Sequence, residues 1–243
     1  MSQQQFRYSN SVIVYPLLLV FSIWVVFWYQ IRIDSSIRNF GIYPNKLEGL
    51  LGVFTSPFLH SSLSHLYNNS IPLLVLSMAL FYFYNNIAWR VLFFGILVSG
   101  ILTWFIGKSG NHIGASGIIY MLVSFIFFKG IIAKHYRLIA LSLIIIFLYG
   151  SMIWYIFPIK DGISWEGHLG GLITGFIFAL IFRTRIAKPE RYIWETEAYN
   201  KEDDPFMKHF DADGNFIEED LDELGKQNSQ IKYFYKSKDS DFD

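Results

Sequence analysis

The sequence predicts an all-α membrane protein, a bundle of six transmembrane helices followed by a short polar C-terminal tail. The 243 residues have a positive mean hydropathy of +0.33 and are 19% aromatic, which is too apolar for an ordinary soluble domain. Charge is also uneven, because 16 of the 20 acidic residues follow position 185. We therefore divide the chain into a transmembrane domain over residues 1–185 and an acidic cytoplasmic tail over residues 186–243. The absence of cysteine excludes disulfides and cysteine-based metal sites.

Six apolar runs make up the predicted bundle, and each approaches the roughly 20 helical residues that cross about 30 Å of hydrocarbon. Helices are predicted rather than strands, because a lipid-exposed span must satisfy its own backbone and no alternating barrel pattern is visible. In chain order the runs are Val12–Ile31, Leu66–Phe83, Ile87–Ile106, Ser116–Ala133, Leu138–Phe157 and Trp165–Phe182.

The lysines and arginines give the orientation of these runs. Nine lie on one side of the predicted bundle and five on the other, which places both termini in the cytoplasm. The second, fourth and sixth runs then all cross from outside to inside. Their N-terminal ends carry His65, Ser116 and His168, so we expect these three residues near the outer face at similar depth.

The expected location is the inner membrane of a bacterium, because the chain shows no transit peptide and no long extracytoplasmic domain. A cleavable signal peptide is not expected, since the first apolar run is too long and no small-residue cleavage site follows it. No nucleic-acid-binding surface is predicted in the membrane domain.

Ser116 lies in the motif Gly114-Ala115-Ser116-Gly117, at the start of the fourth run. A reactive polar group inside a membrane is costly and therefore indicates function. The glycines allow close backbone approach in a tight loop-to-helix turn, and the helix N-terminus offers free N–H groups to an oxyanion forming beside Ser116. Small residues at this spacing also serve helix packing in membranes, so packing is the alternative.

His168 lies near the start of the sixth run, in a motif where Gly167, Gly171 and Gly175 recur every four residues. Such a glycine face lets another helix approach closely, which would bring His168 to Ser116 as a general base. The alternative is a hydrogen-bonded histidine that serves packing.

Two neighbouring residues refine this prediction. Tyr120 follows Ser116 by one helical turn and could stack on the His168 ring, although an ordinary bundle tyrosine is the alternative. Glu166 is two residues from His168, on nearly the opposite side of a helix, so a Ser–His dyad is predicted rather than a triad.

A third element surrounds the start of the second run. His65 and Asn69 are four residues apart on one helix face, and both can donate hydrogen bonds to an oxyanion. His60 is predicted to be structural and to tie down the preceding loop. A zinc site built from three histidines is disfavoured, because no acidic ligand joins them at suitable spacing and the glycine-framed serine would go unexplained. No metal or other cofactor is predicted.

Together these motifs resemble the rhomboid family of intramembrane serine proteases. The resemblance covers roughly residues 10–185, with the motifs in matching order on the second, fourth and sixth runs. They are His-x4-His-x3-Asn at His60, His65 and Asn69, Gly-x-Ser-Gly at Gly114 to Gly117, the tyrosine Tyr120, and His-x2-Gly-x3-Gly at His168, Gly171 and Gly175.

The resemblance implies a six-helix fold and a serine-type endopeptidase that cleaves transmembrane segments of other membrane proteins. It implies a Ser116–His168 dyad and an oxyanion hole formed by the Ser116 backbone N–H, His65 and Asn69. Gly114 would shape the loop before the serine. In one departure, many members carry a Trp-Arg pair after the first helix, where this chain reads Leu50-Leu51-Gly52-Val53.

The main rival function is a client-binding protein on the same scaffold, and a small transporter is a more distant one. A non-proteolytic protein that captures membrane clients would not need Ser116 and His168. A small transporter would place its polar residues near the midplane, whereas here they gather near one face. The loop Pro158–Trp165 and the fifth run are the predicted lid and gate over the site.

In the tail, Asp211-Ala212-Asp213-Gly214-Asn215 invites a calcium-loop interpretation. Its glycine falls at the fourth loop position and Asp222 at the twelfth, which disfavours calcium. A turn over Phe210–Ile217, built on Asp-Gly, is predicted instead, and Glu218–Lys226 is a predicted short helix.

Overall fold

The computed structural model describes residues 9–149, 153–160 and 162–182, and, in the tail, residues 192, 194, 196–197, 199–200, 202–204, 206–211 and 213–217. Two compact units divide the chain, Met1–Lys188 and Pro189–Asp243. All six predicted runs lie in the first unit.

Within its described residues, the first unit is helical and contains no β-strand. Its α-helices are α1 (Ser11–Arg32), α2 (Gly52–Thr55), α3 (Leu63–Phe83), α4 (Ala88–Ile106), α5 (Ser116–Ile132), α6 (Tyr136–Leu148) and α7 (Trp165–Ile181). Short 3-10 segments occupy the connections at Ser35–Phe40, Leu47–Leu50, Ser56–Phe58 and Trp154–Ile156.

The lengths of these helices bear on the predicted membrane spans. By length and composition α1, α3 and α4 are able to cross a membrane, with 22, 21 and 19 residues. The apolar helices α5, α6 and α7 are shorter, with 17, 13 and 17 residues. The protein is therefore all-helical with at least three membrane-length helices among its described residues, and the count of six spans stays a prediction.

The predicted fifth run is wrong at its C-terminal end. Helix α6 ends at Leu148 rather than continuing to Phe157, and Trp154–Ile156 forms a separate 3-10 turn. The physical reason is local: Gly150 follows two positions after Leu148 in the sequence, and glycine is a poorer helix former than the apolar residues before it. A prediction based on apolar content alone therefore makes this run too long.

Helix α5 lies at the centre of the bundle. It packs against α3, α4, α6 and α7, and the nine consecutive residues Ile118–Ile126 are all buried. A helix that is apolar around its whole circumference requires such a surrounded position. The site-bearing N-terminus of α5 is thus held from several sides.

Glycines determine how closely α7 approaches its neighbours. A methyl group on Gly171 or Gly175 would overlap a backbone carbonyl oxygen of α5, so this face packs backbone to backbone. Gly167, predicted to belong to the same face, instead turns its open side towards Ser164 and Thr103. Gly171 and Gly175 therefore face α5 with the side on which a side chain would lie, whereas Gly167 approaches Gly117 of α5 with its carbonyl oxygen.

The connection between α1 and α3 packs against α4. Val53 is buried, and a methyl group added to Gly100 of α4 would lie 2.8 Å from the Val53 side chain. The segment Leu50-Leu51-Gly52-Val53, which departs from the family pattern, thus connects the 3-10 segment Leu47–Leu50 to the start of α2, and its Gly52 and Val53 are buried.

In the second unit, the described residues include the predicted turn. The Asp211 N–H donates to the Asn215 carbonyl (2.9 Å), Gly214 has φ +83°, and Phe210 and Phe216 form an antiparallel bridge. The Asp-Gly turn therefore closes a short hairpin. The predicted helix over Glu218–Lys226 lies outside the described residues.

Candidate active site

The loop before α5 brings Ser116 to the top of the bundle. The Gly114 N–H donates to the Ser56 carbonyl oxygen (2.8 Å), and Gly114 adopts φ +119°, which L side chains rarely reach. A methyl group there would also lie 2.7 Å from the His65 ring. Gly117 differs, because a methyl group there would make only an ordinary contact with Gly167 at 3.4 Å. Of these two positions, only that of Gly114 therefore requires a glycine.

A hydrogen bond joins Ser116 and His168. Oγ of Ser116 lies 2.9 Å from Nε2 of His168, across the close α5–α7 contact. The other ring nitrogen, Nδ1, lies 2.8 Å from the backbone carbonyl oxygen of Tyr155. A carbonyl oxygen can only accept, so Nδ1 carries the proton and Nε2 presents its lone pair to the serine hydroxyl. This is the tautomer that a general base requires.

Tyr155 is a partner of His168 that the sequence does not predict. The sequence offers no acidic side chain to orient His168, and the structure supplies a backbone carbonyl from the 3-10 turn before α7 instead. A backbone acceptor leaves no residue-type signal, so no motif could have identified it.

Glu166 is buried and accepts a hydrogen bond from the Lys108 N–H (3.1 Å).

Tyr120 stacks on the His168 ring. The ring centroids are 4.2 Å apart and the planes differ by 11°. His168 is only 5% exposed, so the stack and the two ring hydrogen bonds define its orientation.

His65 and Asn69 flank the serine from α3. The His65 Nδ1 contacts Ser61 Oγ at 3.1 Å, which turns its other ring edge towards Gly114. Asn69 is buried, and its Nδ2 has no hydrogen-bond partner within the described residues. An unpaired buried donor costs about 1–3 kcal/mol, and this amide is able to donate a hydrogen bond to a bound group.

His60 supports this region from outside α3. Its Nδ1 donates to the Phe58 carbonyl (3.3 Å), its own carbonyl accepts from Gln30 Nε2 (2.7 Å), and its ring meets His65 edge-on at 5.0 Å. Burial, with a smaller contribution from His65, lowers the pKa of His60 to about 4, so the ring is neutral at pH 7. Among the residues that the structure describes, no group of three His, Asp or Glu side chains is arranged to hold a metal ion.

A cavity of about 1230 Å³ contains both Ser116 and His168. Its lining mixes polar and apolar side chains, and besides the site residues the polar ones include Arg38, Ser61, Ser62, Ser64, Asn68 and Lys108. A cavity of this size with polar groups in its wall can hold water and an unwound peptide segment next to the serine.

Fold and site define an all-helical membrane protein in which a half-buried serine and a buried histidine share a hydrogen bond. Residues 48–185, more than half of the chain, match the family model of the Rhomboid domain. The protein therefore belongs to the rhomboid family.

The chain is also similar to several mycobacterial proteins. Uncharacterized proteins of Mycobacterium tuberculosis and Mycobacterium bovis are each 35% identical over 161 residues, covering 62% of this chain and 65% of theirs. An uncharacterized protein of Mycobacterium leprae is 32% identical over 172 residues, covering 64% of both chains. The chain thus spans just under two thirds of the length of these curated relatives.

Proposed function

We propose that this protein is an intramembrane serine endopeptidase that cleaves transmembrane segments of other membrane proteins through a Ser116–His168 dyad. The observation that carries the proposal is the 2.9 Å contact between Ser116 Oγ and a His168 Nε2 whose tautomer is set by the Tyr155 carbonyl. Family membership supports the same reaction class.

The chemistry begins with proton transfer. His168 Nε2 takes the hydroxyl proton as Ser116 Oγ attacks the scissile carbonyl carbon, and the imidazolium then returns the proton to the leaving amine. Water from the cavity attacks the acyl-enzyme in the second step, with His168 again as base. The Tyr155 carbonyl stabilises the imidazolium by accepting from Nδ1 in both steps.

The oxyanion would be stabilised by donors on two helices. The Ser116 N–H belongs to the first turn of α5, where N–H groups have no partner within the helix. Asn69 Nδ2 is buried and has no partner within the described residues, and both this amide and the His65 ring lie beside Gly114. In the proposed oxyanion hole, these three donors are in place before the charge develops.

The proposed substrate is a transmembrane helix that unwinds locally. An intact helix engages its carbonyl groups in its own hydrogen bonds, so a segment with glycine, proline or small polar residues exposes a scissile bond more easily. The cavity lies at the N-terminal ends of α5 and α7, which positive-inside counting assigns to the outer face of a bacterial inner membrane, with both termini cytoplasmic. The loop Pro158–Trp165, which contributes to the cavity lining, and α6, which corresponds to the predicted fifth run, are the proposed lid and gate.

Reconstituted proteolysis tests this function. The purified protein in liposomes should cleave a reporter transmembrane helix that contains a Gly-Ala-Ser segment, and should leave an all-leucine helix intact. Ser116→Ala and His168→Ala should each abolish cleavage. Ser142→Ala is the matched control, because that buried hydroxyl bonds only within α6, to the Leu138 carbonyl (3.0 Å).

Binding without cutting is the outcome that would support the rival function. If wild-type protein captures the glycine-containing reporter and leaves it uncleaved under all conditions, a client-binding protein accounts better for the fold. Undiminished cleavage by Ser116→Ala or His168→Ala would contradict the dyad.

A further inference from the structure

We propose that His112 and Ser164 form a positioning clamp that holds the dyad at reacting distance. The inference rests on the proposed function and concerns residues that no part of the dyad or oxyanion hole includes. His112 precedes Ser116 by four residues, and Ser164 precedes His168 by four, so the same two segments carry both histidine–serine pairs.

The contact itself is short and crosses between the two segments that carry the dyad. His112 Nδ1 lies 2.5 Å from Ser164 Oγ, and His112 Nε2 lies 2.8 Å from the Lys108 carbonyl oxygen. Since the carbonyl can only accept, Nε2 carries the proton and Nδ1 accepts from the Ser164 hydroxyl. Ser164 Oγ in turn accepts from the Gly167 N–H (3.3 Å) as the N-cap of α7. Every polar group in this chain of hydrogen bonds has a complementary partner.

Both partners are anchored. The backbone of His112 forms a two-way antiparallel bridge with Ile42, with both N–H···O distances at 2.9 Å, which ties it to the loop after α1. Ser164 caps α7, so it moves with the first turn of that helix, and with His168. A second link runs parallel to the clamp, from the Lys108 N–H to Glu166 Oε1 (3.1 Å).

The position of the clamp explains what it does. The backbone contact of Gly171 and Gly175 with α5 holds the two helices together below the dyad. The clamp joins them on the other side of the dyad, before α7 begins. With both in place, the Ser116–His168 pair lies between two fixed points, and neither helix N-terminus can tilt away without breaking one of them. Misplacing reacting groups by about 1 Å can cost about 100-fold in rate.

The test compares rates at the serine. His112→Ala, Ser164→Ala and the double variant are labelled with a fluorophosphonate, which reacts with an activated serine and needs no substrate helix, and are assayed for reporter cleavage in liposomes. We expect each variant to lose about 10-fold or more in both labelling rate and kcat, with KM changed less than two-fold. The double variant should be no slower than the slower single variant, because both changes remove one interaction.

Conservative variants keep the test decisive if an alanine variant folds poorly. Ser164→Thr retains both the hydroxyl and the N-cap, so it should label at nearly the wild-type rate. His112→Asn places a carbonyl acceptor close to the position of Nδ1, so it should recover part of the labelling rate that His112→Ala loses. Asn111→Ala is the matched control, because this neighbouring side chain donates to the Arg38 carbonyl (2.6 Å) rather than to α7. It should label within two-fold of wild type.

Three results would overturn the clamp: wild-type labelling rates in His112→Ala, losses that add up in the double variant, or a lower unfolding midpoint with an unchanged rate per folded molecule. A wild-type protein that neither labels nor cleaves would instead overturn the proposed function. Failure of the proposed function is seen in the wild type alone, whereas failure of the clamp is seen only when the variants are compared with an active wild type.

Discussion

A single added methyl group on α7 should separate the dyad without touching either catalytic side chain. A methyl group on Gly171 would overlap the Gly117 carbonyl oxygen and would lie 3.1 Å from its carbonyl carbon. Both obstacles are backbone atoms of α5, so no side-chain rotation can relieve the overlap. Gly171→Ala therefore forces α5 and α7 apart.

The size of the effect follows from contact distances. Restoring ordinary van der Waals separation requires the helices to move apart by about 1 Å. If that shift reaches the dyad, the 2.9 Å contact between Ser116 Oγ and His168 Nε2 lengthens to roughly 3.9 Å, which is beyond hydrogen-bond range. A misplacement of this size costs about 100-fold in kcat, or about 2.7 kcal/mol in activation free energy.

Cleavage of the glycine-containing reporter in liposomes measures the loss, and the unfolding midpoint measures stability. Gly117→Ala is the matched control: it lies beside Ser116 in the motif, yet its methyl group would meet Gly167 at an ordinary 3.4 Å. That variant should keep wild-type kcat. Equal activity of Gly171→Ala and wild type, or a greater loss in Gly117→Ala, would refute the reasoning.

Three further predictions concern the donors and supports of the site. Asn69→Ala should lower kcat by about 100- to 1000-fold with little change in KM, measured on the same reporter, because it removes an oxyanion donor; a change confined to KM would contradict this role. Gly114→Ala should lower both kcat and the unfolding midpoint, because φ +119° is strained for alanine and the methyl group meets the His65 ring at 2.7 Å; wild-type values for both would contradict it. Because the pKa of His60 is lowered from 6.5 to about 4 on folding, the unfolded state binds more protons between these values. The contribution of neutral His60 to the free energy of unfolding should therefore be complete above pH 6.5 and should decrease as the pH falls towards 4. His60→Gln should make the pH dependence of the free energy of unfolding less steep. Parallel pH profiles of wild type and variant would contradict this.

The helical class of the fold could be predicted because long apolar runs leave few other solutions. Five of the six runs end within one residue of the observed helices, and the exception is the run at Leu138–Phe157. There apolar content continued past the point at which the helix stops. Helix α3 begins at Leu63, three residues before the predicted run, because the Ser62 side chain caps it by accepting from the His65 N–H (3.1 Å).

The site residues could be selected because polar groups in an apolar helix are rare and their spacing is informative. Ser116, His168 and Tyr120 were chosen from position along the chain, and the structure brings all three together. The partners of His168 and of α7 could not be chosen in this way. The Tyr155 carbonyl has no side-chain signature, and the His112–Ser164 contact depends on how two loops fold back on each other.

In the proposed mechanism, His168 activates Ser116 as a nucleophile inside the folded bundle. Peptide mapping by mass spectrometry after reaction with a fluorophosphonate in detergent tests this activation. We expect a single covalent adduct on Ser116 in the wild type, no adduct in Ser116→Ala, and labelling at least 100-fold slower in His168→Ala. Labelling of another residue, or equal labelling rates with and without His168, would contradict it.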